Sequence, residues 1–143
     1  MNAIVLHDKK QIAAFLQHNV YVHLYGLGDL DDFFWNYTTW YAWREGGELQ
    51  AIILLYTGLE LPVLLAHAPG KSPTAGAETA PLQTLLRAIL PYLPRRFYCH
   101  LDPGLEAILA GPYRAEPHGE HYKMALQHPA RLAALDLSAT VAL

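Results

Sequence analysis

The sequence predicts an α/β fold, a mixed and twisted sheet of about six to seven strands with helices on both faces. Three observations carry this. The first forty residues show helical spacing with recognisable caps. From Tyr37 the period changes: an alternating segment is followed by two that are apolar throughout, all strand-like and separated by turn residues. Beyond them Leu82, Leu85, Leu86, Ile89 and Leu90 form a stripe at i, i+3, i+4, i+7 and i+8, which gives a long helix one apolar face.

Asp8 and Gln11 make a capping box, and Ile12, Phe15 and Leu16 follow at helical spacing, so the first helix spans about 8 to 17. Asn19 is placed to cap a second short helix ending near Gly26 and Gly28, and "GDLDDFFW" reads as a third helical turn with acids at its positive end. The first forty residues are thus expected to be helical.

Thr38, Trp40, Ala42 and Arg44 alternate with Thr39, Tyr41 and Trp43 in a strand rich in β-branched and aromatic residues. Trp40 is expected on one face, and Tyr41 with Trp43 on the other. In "EGGE", Gly46 and Gly47 tolerate the positive φ of a two-residue hairpin turn. The return strand, "LQAIILLYTG", is apolar on both faces and should lie centrally in the sheet. "LPVLLAH" at 61–67 is a third strand, with Pro62 at its beginning. A loop through residue 78 leads to the long helix, with Thr79 as its cap and Pro81 in its first turn. "RRFYCHL" at 95–101 is a further strand, "DPGLEAILAG" a short helix capped by Asp102, and "PYRAEP" with "EHYKMAL" a closing hairpin about His118 and Gly119.

A chain of 143 residues, 52% hydrophobic and 16% charged, can fill one core, so residues 1–128 read as a single domain. Residues 129–143 read as an extension toward a following domain or partner, because "ATVAL" is apolar where a free end is usually polar. A formal charge of −3 gives no electrostatic footprint for nucleic acid, and no apolar run is long enough to span a bilayer. The expected location is the cytoplasm. From Asp29 to Glu60 there are six acids against one base, Arg44, so a partner of that surface should not be strongly anionic.

The whole order of elements, together with the closing "AGPYRAEPHGEHYKMAL", resembles the GNAT fold of Gcn5-related N-acetyltransferases. More narrowly, "LYGLGDLDDFFWNYTTWYA" followed by "LLYTGLELPVLL" and "FYCHLDPGL" resembles the degenerate N-terminal half of two-part GNAT proteins, in which a second domain carries the coenzyme site.

That resemblance implies where a coenzyme A loop would lie, between the third predicted strand and the long helix, with the pattern Q/R-x-x-G-x-G/A. The loop here is "HAPGKSPTAGAET". A frame on Gly70 meets His67 and Ser72 at the flanking positions, and a frame on Gly76 meets Pro73 and Glu78, so neither fits. Pro73 deletes a backbone donor, and Glu78 sets a negative charge where a pyrophosphate would approach the helix start. "GKS" at 70–72 is not a nucleotide P-loop, since Leu65 stands where that pattern needs glycine. The resemblance also implies a tyrosine acid in the short helix, to protonate the leaving thiolate. "GLEAILAG" contains none: Tyr113 lies beyond Gly111, and Glu106 reads as a solvated acid.

His118, Glu120 and His121, with His100 and His128, have ligand chemistry but not the spacing of a helix-borne metal pair. Ser72 and Ser138 lie in no nucleophile elbow, and Cys99, within an apolar segment, reads as a small buried hydrophobe. No catalytic, cofactor-binding or metal residue is therefore assigned. The aromatic run Phe33, Phe34, Trp35, Tyr37, Trp40, Tyr41 and Trp43 lies on or beside a strand expected at the sheet's edge, where one set of rings would mark an interface, most simply a homodimer.

The expected function is that of a non-catalytic GNAT-like domain packing against, or shaping the acceptor cleft of, a catalytic GNAT half. Two alternatives stand beside it: a stand-alone acetyltransferase using acetyl-CoA through an atypical loop, and a ligand-binding or dimerisation module.

Overall fold

A computed structural model describes residues 3–70 and 75–121, together with Met124 and Ala130; the side chains at 75–78 are not described. The sheet has five strands in sequence order: β1 (Ala3–Leu6), β2 (Thr38–Glu45), β3 (Glu48–Tyr56), β4 (Val63–Ala66) and β5 (Tyr98–Leu101). All neighbours are antiparallel except β4 and β5, which are parallel and joined by the crossover through α4 (Ala75–Ile89). Between β1 and β2 lie α1 (Lys9–Leu16), α2 (Leu24–Gly28) and α3 (Asp32–Trp35), and α5 (Glu106–Leu109) follows β5. This is a mixed α/β sheet with helices on both faces, the class that the sequence implied.

β3 shows why the sheet needs two covers. Ala51, Ile53 and Leu55 point to one core with Leu82, Leu85, Leu86 and Ile89 of α4, while Ile52 and Leu54 point to a second core with Ile12, Phe15 and Leu16 of α1. Trp40 and Ala42 join the α1 side; Tyr41 and Trp43 pack against the α4 side. The turn after β2 has Gly46 and Gly47 at φ 57° and 84°, as a tight hairpin demands.

Several expectations are corrected. The first forty residues are not all helical: "AIVL" forms β1, whose register runs from Ala3↔Trp43 to Leu6↔Trp40. β2 is therefore an internal strand and not an edge; Trp40 is buried, and Tyr41 and Trp43 are half-buried. Asp8 caps α1 as expected, its carboxylate accepting from the amides of Lys10 and Gln11. α4 begins at Ala75, so Thr79 lies inside it and Pro81 occupies its second turn, at the loss of one intrahelical hydrogen bond.

The strand count is five among the described residues, not six to seven. Residues 114–121 form no strand, and the rest of the expected hairpin lies outside the described residues. Pro112 and Pro117 each remove a ladder donor, which weakens that segment as a strand.

Candidate functional site

In open α/β sheets, ligands collect beyond the carboxyl ends of parallel strands, which here are the ends of β4 and β5. β4 is followed by His67 and Ala68, β5 by Asp102. The Asp102 amide continues the ladder by donating to the Ala66 carbonyl at 3.0 Å. Its carboxylate turns back to β4: Oδ2 accepts from the Ala68 amide at 2.6 Å, and Oδ1 lies 2.9 Å from His67 Nδ1. Asp102 was expected to cap the short helix. Leu105 holds that position instead, with no side-chain cap bond; the Asp102 carbonyl accepts from the Leu105 amide in the preceding turn, and the Asp102 carboxylate ties the two strand ends together.

Burial is the largest influence on the Asp102 carboxyl and raises its pKa. The hydrogen bonds from His67 and Ala68, with the charges of His67 and His23, outweigh it and hold the group below the usual carboxylate range. An ionised carboxylate only accepts, so His67 Nδ1 carries the proton of their bond.

A cavity of about 20 Å³, room for about one water, lies beside this bridge, lined by His67, His23, Val22, Trp40, Leu54 and Leu65 among others. His23 is buried on the α1 side of the sheet. Trp40 is buried with its indole N–H donated to the Thr38 hydroxyl at 2.9 Å, so that polar atom needs nothing from the cavity. Gly70 follows the bridge at φ 75°, and a Cβ there would come within 2.7 Å of Asn19 Nδ2. Asn19 itself accepts from the Val22 amide, capping the turn before α2, which ends at Gly28.

The other singled-out residues do not gather here. Ser72 and Pro73 lie outside the described residues; Gly76 and Glu78 fall within the first turn of α4 rather than in a loop. Glu106 accepts from the Gly104 amide at 2.8 Å, which steadies the start of α5. Tyr113 donates to the Pro94 carbonyl at 2.9 Å and stacks edge-on with Phe97, so it is a packing residue. His118 lies against the Tyr98 ring, and His121 Nδ1 contacts the Gly119 carbonyl at 3.1 Å, while Glu120 and His100 are exposed. Among the described residues no three His, Cys, Asp or Glu side chains come together as metal ligands; His128 and Ser138 lie outside them. Cys99 is exposed, contrary to the expected buried hydrophobe, because β5 is only thinly covered. Partial burial still pushes its thiol pKa up, opposite to what a nucleophile needs.

Of the aromatic run, Trp35 sits under the Lys9 ammonium, 4.9 Å from its ring centroid, Phe34 and Tyr37 each meet Tyr56 edge-on, and Phe33 is exposed. The His67–Asp102 bridge was not found from sequence. Its one signal was that a histidine and an aspartate directly follow two apolar segments.

No family model matches this sequence, and no curated protein matches it. Among solved structures, the chain is similar to a ribosomal-protein-alanine N-acetyltransferase from Brucella melitensis biovar Abortus 2308, with 16% identity and a TM-score of 0.45 over 88% of this chain and 100% of that one.

Proposed function

We propose that this GNAT-like domain is a non-catalytic module that packs against a catalytic acetyltransferase half and shapes its acceptor cleft. The observation that carries the reading is the placement of Asp102. A coenzyme pyrophosphate at the carboxyl end of β4 needs free backbone donors and no competing anion. Here a resident carboxylate, held ionised, already accepts from the Ala68 amide and the His67 ring. A second anion beside it would meet like charge in partly desolvated surroundings. The residues present therefore do not fit acetyl-CoA. The mismatched loop sequence and the lack of a tyrosine in α5 support the same reading.

The test is calorimetry of the full chain with acetyl-CoA. No saturable binding at millimolar coenzyme is expected; a dissociation constant in the low micromolar range, about −8 kcal/mol, overturns the proposal.

One observation favours the alternative of a stand-alone acetyltransferase. Asp102 holds the His67 ring in place through Nδ1, and His67 lines the cavity. In that reading His67 takes a proton from an amine, with Asp102 steadying the ring. Turnover of acetyl-CoA that His67→Gln abolishes would establish it.

A further inference from the structure

The segment from Val20 to Asp29 is helical in path: the His23 amide donates to the Asn19 carbonyl, Leu27 to His23, and Asp29 to Tyr25. One side faces the core, with His23 buried and Gly26 against Leu16 and Trp40. The other side is apolar and open. Val20 is 43% exposed, Tyr21 52%, Leu24 61% and Tyr25 68%. Val20 and Tyr21, in the turn before α2, and Leu24 and Tyr25, in its first turn, together expose apolar surface of the kind that contact sites on soluble domains use. Tyrosine is a residue such sites favour.

This surface has an acidic rim. Asp29 follows Tyr25 by one turn and is half-buried, yet among the described residues no cation or hydrogen-bond donor reaches its carboxylate. Burial raises its pKa, which a facing cation would reverse. Asp31 is exposed beside it, its carboxylate accepting from the Phe33 amide at the start of α3, and Asp32 pairs with Lys9. A second copy of this chain laid face to face would bring acid against acid, so the rim argues against self-pairing.

We propose that this face seats a protein partner whose contact surface is apolar at its centre and carries a lysine or arginine opposite Asp29. The inference rests on the module reading, in which this partner is the catalytic half. The side chains that would anchor it are Tyr21 and Leu24, with Val20 and Tyr25 alongside.

The test places the photoreactive residue benzoylphenylalanine at Leu24 or at Tyr92, an exposed position in the turn after α4, the helix that covers the opposite side of the sheet, in cells that make the full chain. The captured protein is purified and titrated against the wild type, Leu24→Ser, Asp29→Asn and the exposed control Leu59→Ser. Capture is expected from Leu24 and not from Tyr92. Binding should weaken roughly tenfold or more in Leu24→Ser. In Asp29→Asn it should weaken several-fold with a shallower salt dependence, and in Leu59→Ser it should not change. Capture from Tyr92 alone, with Leu24→Ser binding normally, overturns the face and leaves the module reading standing. A second copy as the only product from Leu24 overturns the partner's chemistry. No capture at either position overturns the face and the module reading together, whereas acetyl-CoA binding would overturn the module reading with the face intact.

Discussion

Asp102 and His67 are 35 positions apart in the chain and 2.9 Å apart in the fold, joining the carboxyl ends of two parallel strands. The bridge has a pH signature. The Asp102 carboxyl titrates below its ordinary value of 3.8 when folded, so the unfolded chain binds the proton more readily. Its contribution is complete above about pH 5 and is lost as pH falls through the ordinary value toward the folded one. Asp102→Asn should therefore cost about 1 to 2 kcal/mol at neutral pH, with a shrinking penalty below about pH 4. Urea denaturation of both proteins across that range checks it; a penalty independent of pH would contradict it.

Leu86 is fully buried between α4 and the sheet. Leu86→Ala should destabilise the domain by about 2 to 5 kcal/mol, and Leu86→Met by less than about 1.5 kcal/mol, because methionine keeps most of the volume. A loss below about 1 kcal/mol for the alanine variant would mean that α4 does not pack as described.

Gly70 and Gly28 provide a contrast. Gly70→Ala forces a side chain onto a backbone at φ 75° and against Asn19, so it should cost about 1 to 3 kcal/mol. Gly28→Ala meets open space at the end of α2 and should be neutral or stabilising by up to about 1 kcal/mol. Thermal melts of the two variants should move in opposite directions, or only the first should move.

Cys99 is exposed while its thiol pKa lies above the usual 9.0. Ellman's reagent should label it in the native protein without denaturant, slowly at neutral pH and faster as the solution becomes alkaline. Labelling that requires unfolding would restore the buried reading of this residue.

The parts of the fold legible in the sequence are those fixed by local periodicity. The β2–β3 hairpin announced itself through alternation and two adjacent glycines, and α4 through its leucine stripe. The four residues of β1 could not, since "AIVL" before a cap has no period of its own and becomes a strand only by pairing with Trp40 to Trp43. Missing β1 also placed β2 at an edge of the sheet. The start of α4 was set too late because Pro81 reads as a first-turn residue. What Tyr113 and Glu106 do in the fold, bonding Pro94 and Gly104, was not legible because it depends on tertiary approach. The site was hidden for the same reason. Asp102 looks like a helix cap in sequence, and only the parallel pairing of β4 with β5 brings it to His67 and Ala68.

The most direct test of the central claim is an NMR titration of the isotope-labelled full chain with acetyl-CoA, followed at the Ala68 and Gly70 amides. If Asp102 already holds the anion-binding position, both signals stay in place up to millimolar coenzyme, and the Ala68 amide remains protected from exchange. Saturable shifts at Ala68 with a midpoint in the micromolar range would show that a coenzyme displaces the carboxylate, and would contradict the account.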